Sequence, residues 1–125
     1  MALADVELSL PQYRVLGLLG EGSAVSSSMA DRLAVRPPSI TAVVDGLVGR
    51  GLVTRSHAED DRRRVAHRIT ENGARLLAAA DAAVDRRLEQ VAGSLGDEAL
   101  STQMLDGLAL WGRALRDHHA AKAAR

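Results

Sequence analysis

Arg50 to Thr70, RGLVTRSHAEDDRRRVAHRIT, constrains the fold more than any other stretch of this 125-residue chain. Two β-prone runs, Leu52–His57 and Arg64–Thr70, flank a polar tip, Ala58–Arg63, and so read as a charged β-hairpin. A helical pattern ends at Gly51, and a longer one begins at Glu71. Helix, charged hairpin and helix in that order outline a winged helix. Three consecutive arginines near the tip (Arg62, Arg63, Arg64) suit a phosphate backbone and a narrow, electronegative minor groove. Otherwise such a run is a solvated turn.

The segments before the hairpin fit the same outline. Leu10-Pro11 opens a helix, since a proline there lacks only an N–H that would be unpaired anyway. Tyr13, Leu16 and Leu19 recur at helical spacing until Gly20 and Gly22. Ser26-Ser27-Ser28 offers N-caps for a second helix running through Ala34. Pro37-Pro38 fits a turn or the first turn of a third helix, whose apolar residues are Ile40, Val43, Val44, Leu47 and Val48. Two helices joined by a tight turn and followed by a hairpin read as a winged helix-turn-helix. The second helix of such a pair lies in the major groove. Ser39, Thr41, Ala42 and Asp45 then face base edges, with Arg36 and Pro38 at the start of that helix, while Val43, Val44 and Leu47 face inward. A small helical bundle is the competing reading.

Beyond the hairpin, Leu77, Ala80, Val84, Leu88, Val91 and Leu95 form one apolar stripe, and Leu100, Met104, Leu108, Trp111 and Leu115 form another. Packed on each other, the two stripes predict an antiparallel helix pair. Leu76, Leu105 and Leu110 are left over for a second subunit. The Ala-, His- and Lys-rich tail from Asp117 is expected to fray. The fold class is therefore mainly α with a small β-hairpin wing and a long C-terminal antiparallel helix pair. Residues 10–70 form the DNA-binding part and 71–118 the dimerisation part, while 1–9 are a remnant of an N-terminal helix or a linker.

Composition narrows the chemistry. With one Trp, one Tyr and no Phe, the core must come from Leu, Val and Ala. The absence of cysteine excludes disulfides, cysteine-ligated zinc and thiol redox chemistry. No secretory leader or membrane-length apolar run appears, so a cytoplasmic protein without membrane contact is expected. Net charge is zero, yet residues 32–70 hold eight Arg against four acidic residues, a local +4. Neither a nucleophile turn nor a phosphate loop is present, and GEGS at 20–23 is a loop with no strand before it; no enzyme activity and no cofactor are expected. His57 and His67 lie on the two hairpin strands and could face each other, but without compact ligand spacing no metal site is expected. The period-two pattern instead makes His67 half-buried and hydrogen-bonded, while His118 and His119, in the fraying tail, are expected to be solvated.

The segments LPQYRVLGLLGEG, SMADRLAVRPPSITAVVDGLVGRGLVTR and DDRRRVAHRITENGARLL together resemble the MarR family of transcriptional regulators. Its wing pattern is Asp-x-Arg, a mostly apolar run, Leu-Thr and then Gly. Here the positions are Asp61, Arg63, Ile69-Thr70 and Gly73. The resemblance implies a homodimeric repressor on a palindromic operator in double-stranded DNA, released by a small lipophilic or aromatic effector. Arg63 becomes the minor-groove arginine, oriented by Asp61, while Arg62 and Arg64 contact phosphate. Ser26 and Ser28, with Ser27, donate to phosphate oxygens. Ala42 departs from the pattern, since arginine is common there, and shifts base reading toward Arg36. The family also has a long helix before the Leu-Pro-Gln segment where only Met1–Ser9 stand. Dimerisation then rests on Leu76–Leu115. Tyr13, Arg14 and Trp111 are the candidate effector contacts. The alternative function is a winged-helix interaction or ligand-binding module without specific DNA binding.

Overall fold

The computed structural model describes Leu3, residues 6–57 and residues 64–125. In chain order the elements are α1 (Leu10–Glu21), β1 (Ala24–Val25), α2 (Ser26–Leu33), α3 (Pro37–Gly49), β2 (Val53–His57), β3 (Val65–Ile69), α4 (Glu71–Gly93) and α5 (Glu98–Ala123). The strands form an antiparallel sheet in the order β1-β3-β2. Two compact units divide the chain inside α4, one ending at Ala83 and the other starting at Val84.

Short-range chemistry sets the boundaries in the first unit. α1 begins with a reciprocal cap: the Gln12 N–H donates to Ser9 Oγ at 3.2 Å, and the Ser9 N–H donates to Gln12 Oε1 at 3.1 Å. The chain leaves α3 through Arg50 and Gly51, whose φ of 73° is easy only for glycine. There the Gly51 N–H donates to the Val48 carbonyl and the Leu52 N–H to the Leu47 carbonyl, both at 3.0 Å, so the last carbonyls of the helix are satisfied as the chain turns into β2. The helix pair α2–α3 turns on Ala34, which is also left-handed at φ 56°.

Thr70 and Gly73 join the hairpin to α4. Thr70 Oγ1 donates to the Gly51 carbonyl at 2.7 Å and accepts the Gly73 N–H at 3.0 Å, while the Thr70 N–H donates to the Leu52 carbonyl. This threonine both caps α4 and ties it to the end of α3. The first-unit core is Val15, Leu16 and Leu19 of α1, Met29 and Ala30 of α2, Ile40, Val44 and Leu47 of α3, and Leu52 and Val53. It is aliphatic, as the composition requires.

Several expectations change here. Val25, not a serine, is the N-cap of α2, and it makes no side-chain cap; Ser26, Ser27 and Ser28 form the first helical turn instead. The cause is β1, which holds Ala24 and Val25 extended against β3 up to the first residue of the helix. His57 and His67 do not face each other, because the hairpin register pairs His57 with Val65 and Arg55 with His67. α5 runs on to Ala123, so no fraying begins at Asp117: alanine is the best helix former, and four stand in the helix from Ala114 to its end.

The second unit also reverses an assignment. The stripe from Leu88, Val91 and Leu95 to Leu100, Met104, Leu108, Trp111 and Leu115 is exposed, from 38% at Leu88 to 68% at Trp111. Small residues turn inward instead: Ala92 is buried, and Ser101 and Gly112 are half-buried beside Leu105. Ser101 Oγ donates to the Ala92 carbonyl at 2.7 Å. That bond draws the helices together on their narrow faces, and the bulky side chains are left outside. Asp97 caps α5 by accepting the Ala99 and Leu100 N–H groups.

Candidate nucleic-acid interface

α3 is held by its inner face. Ile40, Val44 and Leu47 are fully buried, and Ser39, Thr41, Ala42 and Asp45 on the other face are exposed, as are Arg36, Pro37 and Pro38 at its start. The two prolines remove the N–H groups of the first two helical positions, and the Ser39 N–H donates to the Arg36 carbonyl at 3.0 Å. This helix start therefore offers few backbone donors to an anion, leaving contacts to side chains. Pro38 can contribute only apolar contact. Thr41 Oγ1 donates to the Pro37 carbonyl at 3.1 Å, which leaves its methyl group and oxygen lone pairs on the surface.

α2 differs in kind. Its first-turn serines carry backbone N–H groups at the positive end of a helix, and no side chain caps them. Ser28 shares an open groove of about 490 Å³ with Arg32 of α2 and with Arg64, just before β3. Arg32 pairs with Glu21 at 3.0 Å. Only its charge counted in the sequence, although four residues after Ser28 it falls on the same helical face. Asp61, Arg62 and Arg63 lie outside the described residues, so the wing-tip assignment concerns a segment between Arg64 and the end of β2.

Asp45 is engaged sideways: its carboxylate forms an ion pair with Arg55 of β2. On the next strand His67 is 3% exposed, with Nδ1 3.2 Å from the Ala24 carbonyl oxygen. It is therefore buried and hydrogen-bonded. Its pKa lies below the ordinary value of 6.5, chiefly because burial disfavours the imidazolium; the Arg55 charge adds to this, while the Ala24 hydrogen bond and Asp45 oppose it. The folded protein then binds fewer protons here than the unfolded chain. This contribution to stability is complete above about pH 6.5 and is lost as pH falls from there through the folded pKa. Melting curves at pH 7.5 and 5.5 are expected to lose less between the two pH values in His67→Gln than in the wild type. An equal loss in both would rule His67 out as the cause.

The candidate effector residues fall in different places. The Tyr13 hydroxyl donates to Asp81, and an Arg14 guanidinium N–H donates to the Leu33 carbonyl at 3.0 Å. Arg14 also lines an apolar cavity of about 120 Å³ with Pro11, Leu33, Val35, Ser39 and Val43. Trp111 belongs to the second unit and is exposed. Among the described residues there is no cluster able to hold a metal ion, and no helix is long and apolar enough to cross a membrane.

Residues 8–65 match the MarR family. The HTH-type transcriptional regulator FarR of Neisseria gonorrhoeae is 30% identical over 99 residues, 78% of this chain and 68% of that protein. The uncharacterized HTH-type transcriptional regulator YfiV of Bacillus subtilis is 36% identical over 73 residues, 58% of this chain and 46% of the relative. With FarR the exception, the chain spans about half the length of the curated relatives it matches. Among solved structures, the transcriptional repressor CouR bound to a 23-mer DNA duplex is 30% identical, with a TM-score of 0.71 over 89% of this chain and 79% of that one. Wild-type MarR from E. coli shares the fold, with a TM-score of 0.76 at 23% identity over 86% of this chain and 79% of that one.

Proposed function

The chain belongs to the MarR family, whose matched members here are transcriptional regulators and not enzymes, and from that premise we propose that it is a dimeric, sequence-specific repressor of a palindromic operator. The observation that carries this reading is the division of α3 into a fully buried face, Ile40, Val44 and Leu47, and an exposed one, Ser39, Thr41 and Ala42. A helix anchored in this way can enter a major groove without disturbing the core. Arg36 and Ser39 read base edges near the start of α3, with Thr41 and Ala42 beside them. Ser26, Ser28 and Arg64 neutralise or cap phosphates along the adjoining backbone.

Arg63 enters the minor groove with Asp61 orienting it, and Arg62 contacts phosphate. The support is the resemblance of the wing pattern together with the hairpin strands β2 and β3, which end and begin on either side of those residues. The exposed apolar stripe of α4 and α5 supports the dimer, because a monomer rarely leaves so continuous an apolar surface in water. For the effector, the supporting feature is the cavity between α1 and α3: an apolar ligand seated there touches Ser39 and so acts on the base-reading face. Residues 10–70 are the DNA-binding part on this reading, and 71–118 the dimerisation part.

Fluorescence anisotropy against duplex DNA from upstream of the protein's own gene, beside a scrambled duplex at two salt concentrations, tests the reading. Tighter, salt-sensitive binding to the native duplex is expected. Arg63→Ala should weaken it by about 1–3 kcal/mol. Affinity unchanged by that substitution removes the wing from the account. Equal binding to every duplex offered, including a randomised pool, removes the sequence-specific reading.

A further inference from the structure

The row of side chains that runs from α3 across the sheet is absorbed neither by base reading nor by phosphate contact. Asp45, exposed on α3, is paired with Arg55 on β2. Arg55 is the cross-strand partner of His67 on β3, and His67 is the cross-strand partner of Ala24 on β1. His67 closes the row by its contact with the Ala24 carbonyl, and Val25 leads directly into α2. One row, joined by an ion pair, a cross-strand pairing and a hydrogen bond, therefore touches the recognition helix, both wing strands and the strand that launches α2.

The mechanical consequence follows from where the hairpin is otherwise fastened. At its base, the Leu52 N–H donates to the Leu47 carbonyl of α3, and the Thr70 N–H donates to the Leu52 carbonyl. β3 is also paired with β1 at Ala66 and His67, which ties the ribbon to the strand before α2, whereas its backbone hydrogen bonds to α3 lie at the base. Arg55 lies three residues farther out along β2, toward the tip, and ties the ribbon to α3 at a second point. Two attachment points fix a direction where one does not. The pair is exposed on both sides, at 41% and 57%, so its contribution to stability is small and its geometric effect is the larger. It also neutralises a carboxylate on the face turned to a polyanion, which would otherwise oppose binding.

We propose that Asp45 and Arg55 are positioning residues, whose ion pair sets the angle between α3 and the hairpin so that contacts in the two grooves of DNA are made together. The proposal rests on the DNA-binding reading above. It separates from a simple phosphate contact by Arg55 through charge reversal. A phosphate contact predicts that Arg55→Asp weakens binding to every sequence, that Asp45→Arg strengthens it, and that the two effects add. Positioning predicts that each single reversal lowers the preference for a selected duplex over a scrambled one, and that the double reversal restores it.

The experiment first selects a duplex from a randomised pool with the wild-type protein. It then measures the affinity ratio, selected over scrambled, for Asp45→Arg, Arg55→Asp and the double variant. Each single variant is expected to lose about tenfold in that ratio, and the double variant to return most of it, a coupling of the size found between contacting residues. Asp45→Asn supplies the same comparison at constant shape should a reversal unfold the protein, with a loss of the same sign. Losses that add in the double variant, or an Asp45→Asn variant with an unchanged ratio, overturn the positioning role alone. A wild-type protein that enriches no duplex overturns the DNA-binding reading and the positioning role with it.

Discussion

Leu108→Glu combined with Trp111→Glu is expected to convert a dimer into a monomer and to lower operator affinity by about a hundredfold or more, the range over which linking two sites exceeds the affinity of one. Both side chains lie on the outer stripe of α5, 44% and 68% exposed, so the substitution removes few internal contacts and the helix should persist. What changes is the surface a second copy would cover. Two carboxylates in the middle of an isologous apolar contact meet their symmetry mates, and desolvating them costs more than the contact returns. In the proposed dimer, the groove beside the stripe, lined by Leu88, Leu105, Leu108 and Gly112 with Asp85, Glu89 and Arg116 around it, would take a ridge from the other copy. Sedimentation equilibrium gives the mass, and anisotropy on the selected duplex gives the affinity. A wild-type chain that sediments as a monomer at tens of micromolar, or a variant of unchanged mass, would sink the account of this face.

Gly73→Ala is expected to destabilise the protein by about 3 kcal/mol, near the upper end for overpacking a close contact. The sign is diagnostic. Gly73 lies in the first turn of α4, and inside a helix alanine would ordinarily be favoured over glycine by up to about 1 kcal/mol. A Cβ at this position, however, would overlap the Leu52 carbonyl oxygen and stand 2.8 Å from Ile69 Cγ1. The carbonyl cannot move freely, because it accepts the Thr70 N–H at 3.0 Å while Thr70 Oγ1 holds both Gly51 and Gly73. Any shift therefore loosens the junction at which α3, β2 and α4 meet. Urea unfolding of the two proteins measures the difference; a variant as stable as the wild type would mean that the close approach relaxes without cost. This contact also accounts for the Thr-x-x-Gly spacing in physical terms: the threonine caps the helix, and the glycine lets the backbone of the preceding turn approach it.

Much of the first unit was legible because its signals are local. Pro11, Gly22, Pro37 and Gly51 each impose or forbid a backbone conformation at a helix end, and those ends fall where the residues stand. Alternation placed the hairpin strands to within a residue, and the buried face of α3 followed from Ile40, Val44 and Leu47. Family membership was legible for a similar reason, since the wing motif and the Thr-Gly junction are short patterns. β1 was missed because two residues carry no periodicity; only pairing with β3 makes Ala24-Val25 a strand. With β1 unseen, the serine run looked like a set of caps.

From its residues alone this chain determined a winged helix-turn-helix with an aliphatic core, the ends of most of its helices and the face that α3 turns outward, because caps, prolines, glycines and helical periodicity act over a few residues. Tertiary structure alone decided the rest. It paired Arg55 with His67 instead of His57 with His67, because register depends on how two strands dock and not on their separate sequences. It also turned Ala92, Ser101 and Gly112 of the second unit inward and Leu108 and Trp111 outward. Periodicity identifies an apolar stripe but not its partner, and in this helix pair the Ser101–Ala92 hydrogen bond and the small side chains around it determined which faces meet.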